Sequence, residues 1–284
     1  MKRIATIGFF DGVHKGHQFL FEHMAALGKE RGLQPLIVTF EHHPRLVLQD
    51  DYVPQLLTTP EERKALLSIY GEVLMLSFSA IQPLAAAEFM EQLSTKYEVS
   101  VLLMGYDHRF GSDRLKRPQD YRRIGEALGI EVLTMNEYSE GEWHVSSTEI
   151  RAALENGNIV VANELLGRPY SIQGTVVHGK GVGRTIGFPT ANILPSDPHK
   201  IIPKAGVYMV YINTPTMENA PSFVNINEQG LIEAHIPSFK GDLYDQQLEL
   251  NFVRWLRDEK HFENLETLRK QIKADVDSIL RPDS

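Results

Sequence analysis

The chain has 284 residues, 42% of them hydrophobic and 23% charged, with a formal net charge of −8 and no cysteine. This length predicts two soluble domains, each with its own core. The lack of cysteine excludes disulfides, thiolate metal sites and thiol nucleophiles. The acidic balance argues against a nonspecific nucleic-acid binder, which needs a basic footprint. No apolar run reaches the roughly 18 residues of a membrane span, and no segment reads as a signal peptide. A cytoplasmic protein is expected, with small molecules as partners and neither membrane nor nucleic acid among them.

Residues 4–9 predict a strand, and residues 17–31 a helix with Leu20, Met24 and Leu27 on one face. The connection reads Gly8-Phe9-Phe10-Asp11-Gly12-Val13-His14-Lys15-Gly16-His17. It places two imidazoles and several backbone N–H groups at the start of a helix, where an anionic phosphate binds readily. Glycine suits positions where the backbone approaches a ligand or takes a positive φ. The run points to chemistry on a nucleoside triphosphate; its plain alternative is an ordinary tight turn between strand and helix.

Further strands are predicted at 36–40, 73–76, 99–104 and 130–135, and helices from about 58, at 84–97 and at 118–128. Strict β/α alternation predicts a parallel sheet with helices on both faces, and ligand-binding loops beyond the carboxyl ends of the strands. Gly105-Tyr106-Asp107-His108-Arg109-Phe110-Gly111 is such a loop. Its Asp107 and Arg109 are candidates for ligand contact, or for a salt bridge internal to a polar loop. Val145-Ser146-Ser147-Thr148-Glu149-Ile150-Arg151 starts another helix with capping-box chemistry. A phosphate site and a cap can share that helix start, and Arg151 is one turn in.

The texture changes near Gly167-Arg168-Pro169-Tyr170. Short apolar runs at 172–177, 206–212, 222–226, 231–236 and 248–254 are separated by turn residues, and helical patterning returns only at 261–280. This predicts a small antiparallel barrel or sandwich with a packed C-terminal helix, and a domain boundary at about 160–170. A glycine-rich loop carries Gly179, Lys180, Gly181, Gly183 and Arg184, and leads into Gly187-Phe188-Pro189-Thr190-Ala191-Asn192. It lacks the Gly-Lys-Ser/Thr ending of a Walker A loop. Thr190 and Asn192 offer neutral oxygens suited to Mg²⁺. Glu233, flanked by apolar residues, reads either as the outward face of a strand or as a general base.

Together these motifs resemble the bifunctional prokaryotic riboflavin kinase/FAD synthetase family over nearly the whole chain. Gly8–His17, Gly105–Gly111 and Ser146–Arg151 are similar to its three adenylyltransferase motifs. Gly187–Asn192 is similar to its kinase hallmark, continued by Gly206-Val207-Tyr208, Glu233-Ala234-His235-Ile236 and Gly241-Asp242-Leu243-Tyr244. The resemblance implies a Rossmann-like nucleotidylyltransferase domain over 1–165 and a six-stranded antiparallel β-barrel kinase domain with a C-terminal helix over 166–284. It implies ATP, riboflavin, FMN and FAD as substrates and products, with Mg²⁺.

By the same resemblance, His14 and His17 hold the triphosphate, with Gly8, Phe9, Phe10, Asp11, Gly12 and Gly16 around it. Asp107 and Arg109 help position FMN or the phosphates. Ser146, Ser147, Thr148 and Arg151 bind phosphate. Gly179, Lys180, Gly181, Gly183 and Arg184 lie on the nucleotide side of the kinase, Thr190 and Asn192 hold Mg²⁺, and Glu233 takes the proton from the attacking hydroxyl. One segment departs from the pattern. After Val224-Asn225-Ile226 comes Asn227-Glu228-Gln229-Gly230, without the family's Gly, Arg, Pro and Thr, and Asp245 stands where Gly is usual. The alternative expectation is therefore an FMN adenylyltransferase whose barrel only binds flavin or regulates.

Overall fold

The computed structural model describes residues 1–49, 51–105, 108–115, 117–136, 139–140, 143–179, 187–239, 241–260, 262 and 264–280. The chain forms two compact units, Met1–Ser147 and Thr148–Ser284.

The first unit alternates strands and helices. In order come β1 (Arg3–Ile7), α1 (Lys15–Arg31), β2 (Gln34–Phe40), the short α2 (Arg45–Leu48), α3 (Pro60–Leu67), β3 (Glu72–Leu76), the short α4 (Phe78–Ile81), α5 (Ala86–Tyr97), β4 (Val99–Met104), α6 (Pro118–Leu128) and β5 (Glu131–Thr134). A small hairpin, β6 (Ser139–Glu140) and β7 (Trp143–His144), precedes α7 (Ser147–Glu155). The five long strands form one parallel sheet in the order β3-β2-β1-β4-β5. Side chains alternate between its faces. Ala5, Ile7, Leu36, Val38 and Leu102 pack with Phe89, Met90, Leu93 and Tyr121 of α5 and α6. Ile4, Ile37, Val101 and Leu103 pack on the other side with Phe21 and Met24 of α1 and Leu67 of α3. The strand order reverses between β1 and β4, the switch point at which open α/β sheets bind ligands.

Two boundaries differ from the sequence-based expectation. β1 ends at Ile7, not residue 9, although the Gly8 N–H still reaches the Val38 carbonyl at 3.0 Å, and the left-handed Phe10 (φ 56°) then turns the chain out of the strand direction. α1 begins at Lys15, two residues early, because extended His14 is already its N-cap. Both histidines therefore sit at the very start of the helix.

The second unit continues α7 into α8 (Ile159–Leu166) and then into β8 (Tyr170–Val177), β9 (Ala191–Pro195), β10 (Gly206–Thr214), β11 (Met217–Ile226), β12 (Ile232–His235), β13 (Gln247–Arg257) and α9 (Leu265–Leu280). The six strands close into an antiparallel barrel, β10-β11-β12-β9-β8-β13. Asn163 of α8 ties the helix to two strands: its amide donates to the Phe252 carbonyl at 2.9 Å and accepts from the Tyr170 N–H at 2.7 Å. Ile272 of α9 is buried against Val207, Met209 and Phe223 of the barrel. A bidentate pair locks that helix, with Arg257 donating to buried Asp275 at 3.1 and 2.7 Å. α9 starts at Leu265 and not at 261, and the strand β9 and helix α8 were not anticipated. Among the described residues, no helix is long and apolar enough to cross a membrane.

Candidate active sites

The glycine–histidine run of the first unit folds back on itself after β1. Phe10 (φ 56°), Gly12 (φ 81°) and Val13 (φ 42°) all lie in the left-handed region. For a β-branched valine this is a strained conformation, and it persists only where the surroundings enforce it. Asp11 supplies much of that enforcement. Its buried carboxylate accepts from the Leu57 and Thr58 N–H groups and from the Thr58 hydroxyl, at 3.0–3.1 Å, while the Gly12 N–H donates back to the Thr58 oxygen at 3.0 Å. The Ser147 hydroxyl, at the start of α7, donates to the Asp11 carbonyl at 2.9 Å. Two sequence-separated motifs are thus brought together, and Asp11 serves as the rivet of the loop. The next residue, Thr59, caps α3 in a capping box with Glu62.

His14 and His17 stack face to face, 3.6 Å between ring centroids. Phe10 presents its edge to His17 at 5.2 Å. Burial, and then the neighbouring His14 ring, hold His17 well below the ordinary imidazole value, so it is neutral at neutral pH. A β-carbon on Gly8 would strike the Phe10 ring, and one on Gly16 would press on His14 at 3.2 Å.

A cleft of about 420 Å³ opens beside this loop, at the carboxyl edge of β1, β2 and β4. Its apolar walls include Phe9, Phe40, Phe78, Phe89 and Phe110, and Arg109 lies at its polar side. Behind Phe9 lies Arg63, wholly buried, its guanidinium 4.2 Å from the ring centroid and donating to the Phe40 carbonyl at 2.6 Å. Burial lowers Arg63 to about 10, against the opposing pull of Asp11 and Glu61, so it stays cationic. Thr58 and Arg63 escaped the sequence reading because their partners lie more than twenty residues away. Ser146 and Thr148 flank Ser147, and Arg151 lies one turn further along α7. Asp107 falls outside the described residues.

In the barrel the chemistry lies on a row set by register. Asn192 of β9 pairs with Glu233 of β12, which pairs with Asn225 of β11. Cross-strand partners share a face, so the candidate metal ligand and the candidate base are neighbours. The family departure does not disturb this. The β11–β12 connection is a tight turn in which the Asn227 side chain accepts from the Gln229 and Leu231 N–H groups at 3.0 and 2.9 Å. Four consecutive pairs from Phe223–His235 to Ile226–Ile232 follow in unbroken register.

Thr190 borders a pocket of about 210 Å³ with Pro189, Ala191, Ala234 and the Asp242–Tyr244 loop. Tyr244 stacks on His178 at 3.9 Å. The Asn192 amide lies over Gly179, and a β-carbon there would overlap that amide. Thr190 and Asn192, two residues apart where the loop enters β9, both carry neutral side-chain oxygens, a donor set whose chemistry fits Mg²⁺. Lys180, Gly181, Gly183 and Arg184 lie outside the described residues.

A parallel sheet with a histidine-bearing loop at its switch point, and a closed barrel whose register sets Glu233 beside Asn192, fit a two-site nucleotide-dependent transferase. Residues 1–149 match the FAD synthetase family and residues 166–281 the riboflavin kinase family. The chain is 34% identical to the bifunctional riboflavin kinase/FMN adenylyltransferase of Buchnera aphidicola, over 96% of this chain and 91% of that one. Identity to the enzymes of the same description is 33% for Escherichia coli (96% and 90% covered) and 33% for Bacillus subtilis (99% and 92%). A crystal structure described as a macrolide-efflux protein from Streptococcus pneumoniae superposes with a TM-score of 0.89 at 29% identity, covering 99% of this chain and 95% of that one. The chain belongs to the bifunctional riboflavin kinase/FMN adenylyltransferase family.

Proposed function

We propose that the chain converts riboflavin to FMN in the barrel and FMN to FAD in the first unit, consuming ATP in each step. Activity in both halves is carried above all by the relatedness that spans nearly the whole chain, with both family matches on one polypeptide. The functional modules are proposed as 1–165 and 166–284, and the location as the cytoplasm.

In the adenylyl transfer, the FMN phosphate attacks the α-phosphorus of ATP and pyrophosphate leaves. His14 and His17, stacked at the head of α1, hold the polyphosphate and stabilise the charge that develops on the leaving group. The aromatic cleft takes the flavin ring, with Arg109 toward its phosphate side. Ser146, Ser147, Thr148 and Arg151 contribute phosphate contacts from the start of α7. Asp11 holds the loop in shape, because a carboxylate already accepting from Leu57 and Thr58 is ill suited to face an anion.

In the kinase, Glu233 accepts the proton as the ribityl hydroxyl attacks the γ-phosphorus of ATP and ADP departs. Thr190 and Asn192 would hold Mg²⁺, which supplies neutralisation of phosphate charge. Neither reaction forms a covalent enzyme intermediate, so alignment and charge stabilisation carry the rate. The test is separation of flavins after incubation with ATP and Mg²⁺, begun from riboflavin and separately from FMN. FAD from both is expected. FAD from FMN alone would leave the barrel as a binding or regulatory module.

A further inference from the structure

The strand that carries Glu233 also reaches the loop that carries Thr190. The β9–β12 ladder runs from Ile232–Ile193 through Glu233–Asn192 to Ala234–Ala191 and stops there. Thr190, the next residue, is therefore the first one not fixed by backbone pairing. It follows Pro189, which has no N–H to offer to any ladder. Beyond the last pair a side chain takes over. His235 Nδ1 lies 2.8 Å from the Pro189 carbonyl oxygen. A carbonyl only accepts, so Nδ1 carries the proton and donates it.

The imidazole is itself held. It is 5% exposed, meets Phe188 edge-on at 5.5 Å between centroids, and lies 5.2 Å from Phe223. Phe188 packs into the same cluster as Phe223 and Ile272 of α9. One residue thus fastens the start of the Pro-Thr-Ala-Asn segment to the strand of the candidate base, two residues from that base.

Building on the two-reaction reading above, we propose that His235 is a positioning residue of the kinase: its Nδ1–H holds Pro189, and through it sets Thr190 toward the metal–nucleotide complex. It touches neither substrate nor metal. Its loss is felt as weaker nucleotide–metal binding more than as slower chemistry. Outer partners that orient a ligating group are worth roughly 10–100-fold in affinity or activity.

The test uses the full chain with His235→Phe, which keeps an aromatic ring in the nest and removes the donor, and His235→Asn, whose amide places an N–H near the position of Nδ1. Riboflavin phosphorylation is followed against Mg²⁺ and ATP concentration. Calorimetric titration with ADP and Mg²⁺ gives binding apart from turnover, with Thr190→Ala marking the barrel's share of the heat. FMN-to-FAD conversion in the same samples reports on folding and on the other site. H235F should need roughly tenfold more Mg²⁺ and ATP, bind ADP·Mg²⁺ correspondingly weakly in the barrel, and keep its saturating kcat within about threefold, with H235N close to wild type. Wild-type Mg²⁺ dependence and ADP affinity in H235F, equal damage in H235N, or no ADP heat sensitive to T190A would each overturn the proposal. A wild type that binds ADP through Thr190 but does not phosphorylate riboflavin would instead overturn the two-reaction reading, and the titrations would still decide the role of His235.

Discussion

The two candidate sites are built by opposite means. Gly8–His17 is one unbroken run, pinned from inside by the Asp11 carboxylate and strained at Phe10 and Val13. Asn192 and Glu233 come from separate parts of the chain and are set opposite each other by antiparallel register, with Thr190 just beyond the last pair. The first arrangement stores its geometry in local backbone; the second stores it in pairing across the barrel. The difference shows in what each tolerates. The β11–β12 connection departs from the family, yet Asn225 still faces Glu233, because the register starts again on the far side of a closed turn. A comparable change within Gly8–His17 would move the histidines themselves.

Substitutions that strike one half can break this comparison. The largest effect is expected for Glu233→Gln, which should slow riboflavin phosphorylation roughly 10²–10⁴-fold, the usual worth of a positioned base. FMN-to-FAD turnover in the same samples should stay unchanged. Retention of kinase activity would remove Glu233 from the base role. His17→Ala inverts the pattern, lowering FAD formation from FMN by about 10²–10³-fold while phosphorylation of riboflavin persists. A loss of both activities would point to a folding lesion rather than lost charge stabilisation.

Gly179→Ala sharpens the contrast more gently. The added methyl displaces the Asn192 amide, so the Mg²⁺ needed for half-maximal kinase rate should rise roughly tenfold, read from Mg²⁺ titration curves. The smallest effect is on pH-dependent stability. His17 in the folded chain sits below its unfolded value, so the unfolded state takes up the proton first. The stability this residue contributes is complete above the unfolded value near about 6.5 and is lost as pH falls through the lowered folded one. Melting curves between about pH 7.5 and 5.5 should therefore decline less steeply for His17→Gln than for wild type; identical slopes would show that His17 is not held neutral.

The alternation of the first unit was legible because parallel strands buried on both faces are short, apolar and separated by amphipathic helices. The histidine loop was legible because its glycines and imidazoles are adjacent. Its strain was not: nothing in the letters Phe10 and Val13 announces a positive φ, which is imposed by Asp11 reaching Leu57 and Thr58. In the barrel, β9 was hidden by its brevity and by the proline at its end, and α8 by its position where the pattern changes. His235 stood in a quoted motif without a role, since its partner Pro189 is 46 residues away. An apolar strand carrying both a carboxylate and, two positions on, a histidine was the available signal.

The closure of the barrel has a further consequence for how the chain behaves in a crowded solution. Pairing of β10 with β13 leaves that sheet without a terminal strand, so its backbone offers no template on which another copy can add. Open edges in the parallel sheet are confined to β3 and β5. Each begins with a glutamate held by an arginine, Glu72 with Arg3 at 2.9 Å and Glu131 with Arg31 at 2.6 Å. Short strands marked by charge are poor seeds for edge-to-edge aggregation. Resistance to such assembly is thus distributed unequally: complete in the barrel by topology, and in the sheet dependent on two acidic side chains.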